Sequence, residues 1–318
     1  MRYNGHHVGR DGQQDMLRLL FFGLPVGVSA AMLAGLLDSG VEVVAVVVPA
    51  ASVPHLTPDP ASPFARLQPR SSLDLQLSGA SPADTLSVAW AAGLPALAVR
   101  DFGHPDTLAA LSALAADVAC VACFTRRIPA TVLCLPRHGF LNLHPSLLPN
   151  YRGPEPLFWQ LRDGAPAGVT VHVMDEGLDT GDIVAQAAVA LPDGISGPEA
   201  QRQLMLAGLD LLRGVLADLS RGIVARRPQP PGGSYQGFPA ASDFVLSTNW
   251  PARQAFNFMR GTADYRLPYR LDVAGQTLWL GSAESWSPEA DPRPPVLREG
   301  DYLLIRFNPG LLRARLSR

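Results

Sequence analysis

Between residues 17 and 143 the chain alternates short apolar runs with helix-like segments. Residues 17–22 (Leu-Arg-Leu-Leu-Phe-Phe) are apolar but too few for a stable helix, and Gly23-Leu-Pro-Val-Gly27 turns the chain into a helical run at 29–38. A Val-rich strand follows at 41–48. Strand, turn, helix and strand within about 30 residues make a βαβ unit, whose two strands lie parallel with the helix on one face of the sheet. The rhythm continues, with helices near 82–92, 105–115 and 129–134 leading to strands at 97–99, 118–124 and 140–143. This predicts an α/β, Rossmann-like domain built on a parallel sheet, with ligands bound at the carboxyl ends of its strands. Residues 49–80 carry several Pro and Ser without a period, and are expected to form an extended loop rather than secondary structure.

The second half reads differently. Residues 194–226 hold a long helix, because Met205, Leu209, Leu212, Leu216 and Leu219 recur at steps of four and three on one face. The Arg-Arg-Pro-Gln-Pro-Pro-Gly-Gly-Ser stretch at 226–234 is a linker by composition. Beyond it a helix is expected at 250–261, with strands at 269–273, 277–281 and 302–307, which predicts a small β-rich domain. The expected organisation is a disordered tail or mis-assigned start at 1–15, the α/β domain at 16–225, a linker at 226–242 and the C-terminal domain at 243–318.

Composition excludes several classes. Hydrophobic residues make up 47% and charged residues 17%, which suits a folded globular protein and not a disordered one. No apolar stretch is long enough to span a bilayer uninterrupted, and the polar N-terminus lacks the apolar core of a signal peptide, so a cytoplasmic location without membrane contact is expected. Net charge is −2, and all 26 basic residues are arginine, a bias that we attribute to coding rather than to function. Such a balance does not mark an obvious nucleic-acid binder. Cys120 and Cys123 lie in an apolar run without further zinc-spaced ligands, so both are expected to be small buried hydrophobes, and no metal is expected. Gly23 and Gly27 lack the third glycine of a dinucleotide fingerprint, which argues against NAD.

The chemistry concentrates in Asn142-Leu-His144-Pro-Ser146-Leu147-Leu148-Pro149-Asn-Tyr-Arg152-Gly153, Gly168-Val-Thr-Val-His172 and Gly177-Leu-Asp179-Thr-Gly-Asp182. Asn142 and His144 are two apart at the end of a predicted strand, so they share a face. An Asn amide donates to a developing oxyanion, which a protonated or hydrogen-bonded His also stabilises, and His moves protons near neutral pH in a relay that an Asp assists. Asp179 is 35 residues beyond His144 and reaches it only through the fold. Amide, imidazole and carboxylate together suit acyl transfer to an amine. Asp182 is the weaker carboxylate, and His172 on an alternating strand reads as a core or edge histidine.

These motifs resemble the formyltransferases that use 10-formyltetrahydrofolate, most broadly the methionyl-tRNA formyltransferases, in the pattern Asn-x-His-x-Ser-Leu-Leu-Pro-x-x-Arg-Gly, Gly-Val-Thr and Leu-Asp-Thr-Gly-Asp. The resemblance covers roughly residues 17–270. It implies an OB-like C-terminal domain, the catalytic set Asn142, His144 and Asp179, and a folate-holding turn at Ser146, Leu147, Leu148 and Pro149, with Arg126 and Ile128 walling the pterin pocket. In this chain Phe124-Thr-Arg126-Arg127 replaces the family's aromatic-glycine turn. It also implies 10-formyltetrahydrofolate as co-substrate, with no metal and no obligate protein partner. Methionyl-tRNA is the expected acceptor. The alternative is a small amine such as a nucleotide-linked amino sugar, favoured by the loop at 49–80, which offers only Arg66 and Arg70 where tRNA-directed relatives are rich in Lys and Arg. Residues 243–318 carry ten Arg against eight Asp and Glu, with Arg306, Arg313, Arg315 and Arg318 as candidates for phosphate contact. A third reading is a folate- or nucleotide-binding protein without catalysis.

Overall fold

The computed structural model describes residues 16–57, 59–69, 84–289 and 294–317; the expected tail at 1–15, Arg70 and Arg318 lie outside the described residues. Contacts group the chain into two compact units. One holds the chain up to Asn142, with Val173–Glu176 and Leu212–Ala225. The other holds Leu143–His172, Gly177–Leu211 and Arg226–Arg318.

The first unit carries the predicted βαβ rhythm. Strand β1 (Arg18–Gly23) is followed by α1 (Gly27–Leu37) and β2 (Glu42–Pro49), then by β3 (Phe64–Leu67), α2 (Thr85–Ala91), β4 (Ala96–Val99), α3 (Pro105–Ser112), β5 (Val118–Ala122), α4 (Ala130–Leu133) and β6 (Phe140–His144). These strands lie in the order β3-β4-β2-β1-β5-β6. All neighbours run parallel except β3, which pairs antiparallel with β4 at the edge. The order reverses beside β1, the place where doubly wound sheets open a crevice at their carboxyl ends. Asp84 starts α2 by accepting from the Ser87 amide at 2.7 Å. On one sheet face Phe22 meets Phe124 and Phe140 edge to face, at 5.4 and 5.0 Å between ring centroids.

Two expectations change. The segment 49–80 contains 3₁₀ turns at Ala50–Ser52 and Pro54–Leu56, besides β3. β3 escapes a periodicity argument because it has only four residues, with Arg66 exposed between buried Ala65 and Leu67. Cys120 is buried on β5, where burial pushes its thiol well up, but Cys123 is exposed just past the strand with φ +55°. The strand ends at Ala122, two residues before the end of the apolar run at Phe124.

In the second unit α5 (Pro156–Asp163) ends on Gly164 in the left-handed region. Strand β7 (Gly168–Val173) pairs antiparallel with β8 (Ile183–Ala188), and α6 (Gly197–Ser220) begins here. A separate six-stranded sheet, in the order β12-β13-β14-β11-β10-β9, forms the expected β-rich C-terminal domain. Its strands are β9 (Val245–Leu246), β10 (Tyr269–Val273), β11 (Gln276–Ser287), β12 (Val296–Glu299), β13 (Tyr302–Arg306) and β14 (Leu311–Leu316). Helix α7 (Ala252–Gly261) buries Ala252, Ala255, Phe258 and Met259 in its core. Phe258 is fully buried, with Phe158, Tyr269 and Trp250 around it at 5.3, 5.6 and 6.2 Å. Phe258→Ala is expected to cost about 3–5 kcal/mol, from lost transfer energy plus the cavity. Urea unfolding followed by tryptophan fluorescence checks this, and a cost under about 1 kcal/mol is incompatible with a rigid aromatic cluster.

Candidate active site

His144 ends β6, and Pro145 removes the next backbone donor and stops the strand. The imidazole is 4% exposed. Its Nε2 lies 2.8 Å from the Tyr151 carbonyl oxygen. A carbonyl only accepts, so Nε2 carries the hydrogen and donates it. The other nitrogen, Nδ1, stands 3.6 Å from Asp179 Oδ2. His172, buried on β7, places its Nε2 3.5 Å from Asp179 Oδ1, and the two rings are 6.5 Å apart at 80°. One carboxylate therefore faces two imidazoles, one on each oxygen. The fold brings together the His144 and Asp179 singled out in the sequence and adds His172. His172 was hidden because β7 is buried from Gly168 through His172, and a histidine inside such a strand reads as core.

Asp179 is fixed by backbone. The Gly153 amide donates to Oδ2 at 2.9 Å, and Asp179 itself has φ +56°, uncommon for a residue with a Cβ. Gly177 makes this loop possible, because a Cβ there would collide with the Thr180 hydroxyl. Burial lowers the proton affinity of His144; Asp179 and the Tyr151 carbonyl oppose it, and the pKa stays below 6.5. Burial alone would raise Asp179, but His172, His144 and the Gly153 amide outweigh it and hold the carboxyl down to about 2. At neutral pH the arrangement is an anion beside a neutral imidazole, which is poised to accept a proton.

Asn142 precedes His144 by two residues on β6 and is half-buried. In the turn that follows, the Ser146 hydroxyl is buried and donates to the Asn150 carbonyl at 2.7 Å, so it shapes the turn and is no free donor. Leu148 is buried, and its amide donates to Thr170 Oγ1 at 3.2 Å. Leu147 and Pro149 are half-buried. In the first unit Ile128 is buried and Arg126 exposed, both just beyond the carboxyl end of β5, and Arg127 donates to the Glu176 carbonyl at 2.6 Å. Asp182 is half-buried at the entry to β8. Among the described residues no group of three or more His, Cys, Asp or Glu is placed to hold a metal ion, and no helix is long and apolar enough to cross a membrane.

The segment with linker composition is bonded to these loops. Arg227 exchanges both backbone hydrogen bonds with Ile183 at 2.9 Å. The Ser234 carbonyl accepts from the Arg152 amide, and the Gln236 amide donates to the Arg152 carbonyl, each at 3.0 Å. The Tyr151 amide donates to Ser234 Oγ at 2.9 Å. Arg152, a candidate for an anionic ligand, instead directs Nε and Nη2 at Gln229 Oε1, at 3.2 and 2.7 Å. Proline and glycine report backbone freedom in the unfolded chain but not the partners found on folding, so composition alone hid this strap.

Comparison with known proteins gives the family. Residues 64–201 match the family model described as Formyl transferase. The methionyl-tRNA formyltransferase of Thermodesulfovibrio yellowstonii is 30% identical over 230 residues, spanning 72% of this chain and 74% of the relative. That of Synechococcus sp. (strain JA-2-3B'a(2-13)) is 35% identical over 222 residues, covering 69% and 67%. The chain belongs to the formyltransferase family. Solved structures with the same fold include the N-formyltransferase from Helicobacter canadensis in complex with folinic acid and dTDP-3-aminofucose, with a TM-score of 0.59, 15% identity and coverage of 95% of this chain and 100% of that one. Another is glycinamide ribonucleotide transformylase 1 from Symbiobacterium toebii, with a TM-score of 0.51, 24% identity and coverage of 68% and 95%.

In this formyltransferase Gly153 adopts φ +115°, and a Cβ on it would strike the Gln236 carbonyl. Gly153→Ala is expected to destabilise the protein by about 2 kcal/mol or more, through left-handed strain plus displacement of the strap. Amide hydrogen exchange should show faster exchange at 151–153 and 234–236, and unchanged protection there would refute the coupling of loop to strap.

Proposed function

We propose that this formyltransferase moves the formyl group of 10-formyltetrahydrofolate to the amino group of methionyl-tRNA, by direct attack without an acyl-enzyme. The observation that carries the chemistry is the buried pairing of neutral His144 with the Asp179 anion, two residues along β6 from Asn142. The donor set fits a formyl folate: an amide for the oxygen, a base for the amine, and no activated nucleophile. Ser146 is committed to the Asn150 carbonyl and has no base beside it. The turn at Ser146, Leu147, Leu148 and Pro149, with Arg126 and Ile128, is proposed to hold the folate, Ser146 by shaping the turn.

In the proposed reaction the acceptor nitrogen bonds to the formyl carbon while the carbonyl electrons move to oxygen. The Asn142 amide donates to that oxyanion, a contact stronger in the transition state than before it. His144 Nδ1 takes the proton from the amine nitrogen, and Asp179 stabilises the imidazolium that results. The oxyanion electrons return, the bond from carbon to N10 breaks, and His144 delivers its proton to the departing nitrogen. The products are an N-formyl amine and tetrahydrofolate. His172, in contact with the other oxygen of Asp179, holds the carboxylate against His144.

The Thermodesulfovibrio yellowstonii and Synechococcus relatives are named for methionyl-tRNA, which supports that acceptor. A small nucleotide-linked amine is the second reading, favoured by the amino sugar in the Helicobacter canadensis protein and by the scarcity of basic residues at 49–80. Tetrahydrofolate release with charged methionyl-tRNA or amino-sugar nucleotides separates the two. Turnover with tRNA that falls steeply with salt supports the first, and turnover with the sugar alone overturns it.

Asn142→Ala is expected to lower kcat about 10²–10³-fold, the usual effect of removing an oxyanion donor. His144→Ala should lower it at least as far. Folded variants that retain wild-type kcat would remove the catalytic assignment. The pH profile gives an independent check. His144 must be neutral to act, and its pKa lies below 6.5, so activity should persist down to pH 6.5 and fall only at lower pH. Asp179 raises the His144 pKa, so Asp179→Asn should move that acid limb further down while lowering kcat. A limb that moves up would contradict the assignment.

A further inference from the structure

We infer that Gln229, in the strap, is a positioning residue for formyl transfer: it sets the backbone on which the Asp179 carboxylate is mounted. From Arg221 to Gly233 every residue is exposed except Gln229, which is half-buried. Its Nε2 donates to the carbonyls of Asp179 and Gly181, at 2.7 and 2.8 Å. Its Oε1 accepts from Arg152 Nε and Nη2. The orientation of the amide follows from its partners: a guanidinium offers only donors and must face the oxygen, and two carbonyls offer only acceptors and must face the nitrogen. All the hydrogen-bonding directions of one side chain are thereby assigned, each to a loop of the site.

The position of these bonds gives them their effect. Asp179 sits in the left-handed region, a conformation that persists only where its surroundings fix it. Gln229 clamps its carbonyl and the one two residues on, across the bend that aims the carboxylate at His144 and His172. On the other side Arg152 lies between Tyr151, whose carbonyl holds His144, and Gly153, whose amide holds Asp179. Gln229 thus ties the segment that orients the base to the segment that carries the carboxylate. Glutamate could keep the Arg152 contact but not donate to the carbonyls, and leucine could do neither.

The inference rests on the catalytic reading of Asp179, and the test separates the two. Gln229→Leu, Gln229→Glu, Asp179→Asn and the double variant Gln229→Leu/Asp179→Asn are assayed in the full chain, with circular dichroism and Tm to confirm folding. Both Gln229 variants should lose about 10- to 100-fold in kcat, as expected for a misplacement near 1 Å. KM for 10-formyltetrahydrofolate should stay within about threefold. In Gln229→Leu the acid limb of the pH profile should move down, though less than in Asp179→Asn, because the anion beside His144 is displaced in the first and removed in the second. The double variant should be no slower than Asp179→Asn alone, since two residues acting through one group are not additive. Loss that multiplies in the double variant, or wild-type kcat in both Gln229 variants, overturns the inference while leaving Asp179 catalytic. Wild-type kcat in Asp179→Asn overturns both.

Discussion

A single carboxylate, 16% exposed, organises the site. Taking an anion out of water is costly unless it gains close partners, and Asp179 gains the Gly153 amide on one oxygen and an imidazole near each. Those partners come from three separate segments, the end of β6, the loop at 151–153 and strand β7, which converge on the loop at 177–182. The demand for partners explains why Asp179 adopts a left-handed backbone and why Gly177 and Gly153 stand where a Cβ would collide. It also explains why a segment with linker composition is bonded along both loops. The second unit satisfies one ion, and that ion in turn raises the proton affinity of His144 against its burial.

Preorganisation of this kind suits direct transfer. The Tyr151 carbonyl fixes the His144 tautomer before any substrate arrives, leaving Nδ1 as the basic nitrogen. Burial keeps that nitrogen unprotonated near neutral pH, while the anion beside it favours the charged form once a proton is taken. The two effects oppose each other in the resting pair, and burial is the larger. A histidine exposed to water would gain less from the same carboxylate, because solvent screens the attraction.

Much of this was legible in the sequence, for physical reasons that also mark where legibility ended. The βαβ rhythm survives in the chain because a buried parallel strand must be apolar throughout and turn residues separate it from the helix that follows, so β1, β2, β4, β5 and β6 stand out as short apolar runs. Tyr269–Val273 was found to the residue, because its alternation matches a half-buried strand. β12 and β14 were missed: arginines and glutamates on their open faces dilute the apolar signal. Asn142, His144 and Asp179 stood out through their motifs, whereas His172 and Gln229 did not. His172 looks like core because it is buried, and its role comes from a loop that returns to it. Gln229 sits among prolines and arginines, and only the folded chain shows that its amide makes four hydrogen bonds, to Arg152, Asp179 and Gly181.

The choice of acceptor follows a different logic from the chemistry. An amide, a neutral imidazole and an anion do not distinguish one primary amine from another, so discrimination must arise where the rest of the acceptor meets the protein. Phosphate recognition draws on free guanidinium groups, and the C-terminal sheet has already engaged some of its own. Arg313 and Arg315 stack on Tyr302, at 3.9 and 4.5 Å from ring centre to guanidinium carbon, and Arg315 also pairs with Glu284 at 3.2 Å. Arg315 Nη2 also donates to the Tyr302 hydroxyl, so its donors serve the sheet itself. A tRNA acceptor stem and a sugar nucleotide differ in how many phosphates they present, and the salt dependence of turnover reports that number.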